Sequence, residues 1–208
     1  MGIFAVDGKL ARFLNCLGNL IVLNILTIIC SIPIVTFGAS MTALYTMTMR
    51  IVRKEEGNLF KGYFQAFKDN FKQATIIWFV GGGIMAFMAF DIWLLRSVSG
   101  SFGLVYRALL FVIILVFAMV LIHAFAVLAR FENTTKNTVK NAVLFCVGRL
   151  LLAILMLAVT LIPLALLTVS YRFFSVDFLI GIAGPAYLTS VYFTDLFERY
   201  CGNSPATE

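Results

Sequence analysis

Hydrophobic residues in this chain come in long blocks, with polar residues gathered in the short gaps between them. The blocks lie at about 13–33, 37–53, 74–95, 106–129, 142–168 and 176–196. Runs of about 20 apolar residues match the length a helix needs to cross a hydrocarbon core of about 30 Å. The first two blocks form one run from Phe13 to Met49, interrupted by "SIPIVTFGAS" at 31–40. As a single helix that run would be about 55 Å long, far more than a bilayer requires. Pro33 lacks an N–H and pushes Ile32 out of helical geometry, so a break is expected there, with Thr36 or Ser40 opening the next helix.

That second helix carries small residues at Gly38, Ala39, Ser40, Thr42 and Ala43. Such a stripe lets helices approach closely in lipid, so a packing role with Pro33 at the hairpin turn is expected, ahead of a partner-binding face. Next comes "KEEGNLFKGYFQAFKDNFKQATIIW". Phe60, Phe64, Phe67 and Phe71 recur at i, i+4, i+7 and i+11, while Lys61, Lys68 and Lys72 occupy the other side. The pattern predicts an amphipathic helix over about 58–72, lying at the membrane interface with its rings in the acyl boundary. A partner groove reads the same stripe equally well.

Composition supports the membrane reading: the 208 residues are 62% hydrophobic and only 12% charged. Soluble domains are about 45–50% apolar and about 25% charged. The expected fold is an all-α, polytopic transmembrane bundle in a single membrane domain. With six spans and an inner amino terminus, basic residues distribute strongly inward. Of 16 in all, only Arg96, Arg107 and Arg172 fall outside. If residues 37–53 were a re-entrant dip, five spans would remain and the bias would weaken, because Lys9 and Arg12 would move out. Positive-inside counting therefore prefers six spans, with both termini cytoplasmic. It also accounts for the net charge of +6 without nucleic acid.

Chemistry is sparse. Four cysteines without a CxxC pair and a single histidine argue against zinc. Among intramembrane polar candidates, Asn24 shares a face with Thr27 and Ser31, as helix glue or as the lining of a polar path. Asp91, His123, Arg149 and Asp195 are the ionisable ones, with Asp195 and Arg199 spaced as an i, i+4 pair. Gly81–Gly83, Pro163 and "GIAGPA" at 181–186 are candidate helix interruptions. "KDNFKQA" (68–74) and "KNTVKNA" (136–142) form a faint internal echo. No hydrolase, metalloprotease or nucleotide-binding motif occurs, and no cofactor is implied.

"SIPIVTFGASMTALY", "EEGNLFKGYFQAFKDNFKQA" and "LARFENTTKNTVKNA" together resemble the YesL-like family of bacterial integral membrane proteins. That family has no established activity. Its members are often encoded beside carbohydrate ABC importers and glycan-degrading enzymes, which implies an accessory role in carbohydrate uptake. The leading expectation is a non-catalytic accessory subunit in the bacterial cytoplasmic membrane, contacting importer permease subunits. The alternative is a small-molecule transporter or channel. An intramembrane enzyme, which needs groups such as His123 and Asp195 to meet, ranks behind both.

Overall fold

The computed structural model describes residues 9–55, 57–97, 100–169 and 174–202. These form an all-helical bundle: α1 (Lys9–Ser31), α2 (Phe37–Val52), α3 (Leu59–Leu94), α4 (Ser101–Arg130), α5 (Thr135–Gly148), α6 (Leu150–Val169), α7 (Phe174–Ile180) and α8 (Ala183–Gly202). The turn at Pro33 falls where its missing N–H demands it, followed by a 3₁₀ turn at Ile34–Thr36. Thr36 does not cap α2 with its side chain. Its hydroxyl donates back to the carbonyls of Cys30 and Pro33, fastening the end of α1 to the turn.

The short α2 is the axis of the bundle. Ten of its 16 residues are buried, including Gly38, Ala39, Ser40, Thr42 and Ala43. The small-residue stripe therefore packs within the chain. A Cβ on Gly38 would lie 2.5 Å from the Ala74 carbonyl oxygen and 2.8 Å from the Trp78 Cβ. Nearer the other end of α2, Met47 and Arg50 press on Gly62. The crossed pairings make α2 and α3 antiparallel, with backbones close enough for dispersion to hold them. Around α2, α1 contributes Leu23 and Thr27, α4 His123 to Leu128, and α8 Ser190, Phe193 and Phe197, all buried.

Three expected boundaries are corrected. The amphipathic segment at 58–72 is not a separate interfacial helix; it runs straight on into the 74–95 block as α3, 36 residues and about 54 Å long. Nothing between Lys72 and Ala74 breaks a helix, and Tyr63, Ala66, Ala74, Ile77 and Gly81 supply one buried face across the junction. Gly81–Gly83 do not interrupt it either; Gly81 instead admits Leu121 of α4, whose Cδ2 lies 2.6 Å from where a Cβ would stand. The 142–168 block is not one helix: α5 and α6 meet at 103° around Arg149. The 176–196 block is split into α7 and α8 at Gly181–Ile182, whereas Pro163 sits inside an unbroken α6.

Among the described residues three helices are long and apolar enough to cross a membrane: Leu10–Ser31, Leu59–Leu94 and Ser101–Arg130. The bent pair Thr135–Gly148 and Leu150–Leu166 would make a fourth. Length and composition thus stop short of the six expected spans. At 16 residues α2 is only about 24 Å long, and α8 carries Thr189, Ser190, Thr194, Asp195, Glu198 and Arg199.

From Phe79 onward α3 extends beyond α2 and pairs with the amino-terminal half of α4. Asp91 meets Tyr106 near the tip, and Gln73 meets Asn133 at the other end. This two-helix arm is sheathed in exposed Val80, Phe87, Phe90, Phe102, Val105 and Leu109.

Candidate functional site

Two polar regions stand out in a molecule whose surface is largely apolar. The first is a seam of buried polar side chains around α2. Asn24, fully buried on α1, accepts from the backbone N–H groups of Ile182 (2.9 Å) and Ala183 (2.8 Å) through Oδ1. Its Nδ2 donates to the Phe178 carbonyl at 2.8 Å. These are groups freed where α7 stops and α8 begins, so Asn24 caps a helix start from another helix. The break at Gly181–Ile182 is stable in an apolar setting because this one amide satisfies it.

The rest of the seam follows the same logic. Thr48 and Ser190 share a 2.7 Å hydrogen bond between α2 and α8, and the Tyr63 hydroxyl donates to Thr27 Oγ1 and the Ser40 carbonyl, both at 3.4 Å. Thr189 donates to the Pro185 and Ala186 carbonyls within α8. His123, 1% exposed, donates from Nδ1 to the Met119 carbonyl one turn back and sets its ring edge-on to Phe193 at 5.1 Å. Of the polar-path candidates, Asn24, Thr27 and His123 are therefore enclosed and bonded inside the bundle. Asn24 and Thr27 bond across helices, whereas His123 bonds within α4 and meets α8 through its ring contact with Phe193.

The second region is a cleft of about 650 Å³ between α3, the carboxyl end of α4 and the start of α5. Its polar lining is dominated by carboxamides, Gln65, Asn70, Gln73, Asn133 and Asn137, with Arg50, Arg130, Asp69 and Glu132 at its edges. Gln73 Nε2 donates to the Asn133 carbonyl at 3.0 Å, holding the α4–α5 loop over the cleft. Asn70 donates to the Ala66 carbonyl at 3.0 Å. Carboxamides that offer both donors and acceptors, with charges of both signs beside them, suit a polar solute or a polar segment of another chain. The cleft joins the two copies of the internal echo: Asn70 and Gln73 come from the first, Asn137 from the second. One copy lies mid-helix in α3 and the other opens α5, so their structural settings differ.

The remaining candidates scatter. Phe60, Phe64 and Phe71 are exposed, but Phe67 is half-buried against the core and touches Phe71 at 5.6 Å. Lys61, Lys68 and Lys72 all face outward. Asp91 is held by the Tyr106 hydroxyl at 2.9 Å. Two arginines near this end are occupied otherwise: Arg107 donates to the Gly103 and Arg96 carbonyls, and Arg96 lies over the Trp93 ring at 5.2 Å. Arg149 is not inside a span but at the α5–α6 bend, where its carbonyl accepts from Leu152 and Ala153 and starts α6. Asp195 is exposed and pairs with Arg199 at 3.1 Å, as its spacing predicts, away from the buried His123. At the carboxyl end of α2, Glu55 binds Arg53; that hydrogen bond, with the charges of Arg53, Arg50 and Arg130, holds its carboxyl below the usual range.

The cleft is the feature a reading of the chain alone misses. Its signal is a density of Asn and Gln in two segments some 60 residues apart, visible in sequence but without meaning until the helices bring them together.

Helices long and apolar enough for a membrane, wrapped about a buried polar axis, define the class: a helical membrane protein. Residues 20–92 match the family model described as "Protein of unknown function, DUF624", from within α1 to near the end of α3. No curated protein and no solved structure matches the chain.

Proposed function

We propose that this chain is a non-enzymatic accessory subunit of the bacterial cytoplasmic membrane, of the YesL-like kind, that docks onto the permease subunits of a carbohydrate ABC importer. The observation that supports it is the placement of large apolar side chains. The α3–α4 arm and the Phe60/Phe64/Phe71 stripe lie outside the bundle, while catalytic-type groups such as His123 are sealed within it. Aromatic anchors of this type are what helix-to-helix docking in or beside a membrane uses. In this reading the Arg50–Arg53–Lys54 end faces the cytoplasm, following the inward bias of basic residues.

Affinity purification of a tagged chain in mild detergent tests the proposal. Permease subunits should co-purify with the wild type and be lost with the double change Phe60→Ser and Phe64→Ser. Repeated isolation of a lone chain, even after crosslinking in intact membranes, overturns it. The second reading, a small-molecule transporter, draws on the carboxamide cleft, a polar recess of about 650 Å³ reaching in beside α3. Solute uptake into vesicles containing the chain alone would favour that reading instead.

A further inference from the structure

An apolar cavity of about 590 Å³ lies between α1, α2, α6 and the α7–α8 break. Its size falls in the roughly 300–1,000 Å³ range of small-molecule sites. Aliphatic side chains, Pro163 and Pro185 make up much of the wall, with three aromatic residues, Phe37, Tyr45 and Phe178. One carboxylate enters this lining, that of Asp177 on α7, and among the described residues no basic side chain lines the cavity. Asp177 Oδ2 is buried without a hydrogen-bond partner. The nearby Thr160 hydroxyl is committed elsewhere, to the Met156 carbonyl at 2.8 Å.

A buried carboxylate oxygen with no donor is costly, and in apolar surroundings the cost falls when a cation meets it. Aromatic rings favour the same guest, because their faces attract diffuse positive charge. Asp177 also lines a second, larger groove of about 860 Å³ between α1, α6 and α8, sharing Pro163, Gly181 and Pro185 with the first cavity. That groove supplies an apolar way in. Its own charged residues, Arg12, Lys54 and Glu55, belong to the other end: Arg12 is 12 residues along α1 from Asn24, about 18 Å from the α7–α8 break.

We infer that this cavity is a binding site for a lipophilic organic cation, a quaternary ammonium or phosphonium, with Asp177 as counter-ion and Phe37, Tyr45 and Phe178 as aromatic walls. The site is independent of the docking role proposed above and survives its failure.

Two ions of the same shape and opposite charge test it. Equilibrium dialysis of the full chain in dodecyl maltoside should give saturable one-to-one binding of tetraphenylphosphonium and none of tetraphenylborate. Asp177→Asn keeps the shape of the side chain and should weaken phosphonium binding by roughly tenfold or more, the loss of about 1.4 kcal/mol or more of charge pairing. Should Asp177→Asn fail to fold, Leu164→Trp provides the test. Leu164 lines the cavity and is exposed, so the larger ring should block the cation without disturbing the core. Linear, non-saturating uptake of tetraphenylphosphonium, equal binding of both ions, or full binding by a folded Asp177→Asn or Leu164→Trp protein overturns the inference.

Discussion

The α2 axis and the α3–α4 arm are built on opposite rules. Along α2 the buried positions are glycine, alanine, serine, threonine, a tyrosine and a few larger aliphatics; Thr46 and Thr48 reach α4 and α8, and the Ser40 carbonyl accepts from Tyr63 on α3. Along the arm the side chains are Phe, Trp, Val and Leu, and they stand on the outside. A soluble protein would reverse this. In lipid, an apolar surface costs nothing to expose, so packing is left to close approach and to polar groups that must be satisfied internally. Hydrophobicity here marks the outer face, and smallness marks the core.

That contrast can be broken, starting with the largest effect. Gly38→Leu sets a side chain against the Ala74 backbone, which cannot move aside, and should cost about 3 kcal/mol or more, seen as loss of the monodisperse peak in detergent chromatography. If Gly38→Leu stays folded, α2 is not the axis described. Asn24→Leu strands two N–H groups and a carbonyl at the α7–α8 break and should cost about 2–4 kcal/mol, read as a fall in Tm. A change below about 0.5 kcal/mol would mean water reaches the break after all.

On the arm the expectation reverses. Phe87 is 72% exposed, so Phe87→Ser should leave detergent Tm within the ~0.5 kcal/mol of ordinary surface changes. The same change should lower the yield of membrane-inserted chain, because a hydroxyl then faces lipid. A large loss of detergent stability would show that the arm packs on something. The smallest effect belongs to Glu55. Its carboxyl titrates below its usual 4.5, so the contribution of its arginine contacts is complete above that value and fades as pH falls through the lower, folded one. Glu55→Gln should remove this acid-side slope and change little near neutrality. An unchanged slope in the variant assigns acid sensitivity to other carboxylates.

How much of this could be read from the chain varies with the range of the interaction. The hairpin at Pro33 was legible because its cause is local: one residue without an N–H. So was the burial of Gly38, Ala39, Thr42 and Ala43, whose spacing serves close packing and little else. The joining of 58–72 to 74–95 was obscured by composition, since lysines give way to isoleucine and tryptophan at Ala74. A better guide was the face of Tyr63, Ala66, Ala74, Ile77 and Gly81, which keeps its register across that change. The bend at Arg149 has no proline to announce it. Asn24 was visible as a polar residue, but its role depends on a partner 154 residues away. The carboxamide cleft and the lone carboxylate of Asp177 were out of reach for the same reason.

The length of α3 has one more consequence. A single helix pinned against α2 at Gly62 and Ala74 and against Leu121 at Gly81 ties the outer arm rigidly to the axis of the bundle. A force that bends the outer arm therefore meets the close α2–α3 contact at Gly38 and Ala74 before it meets the aromatic stripe.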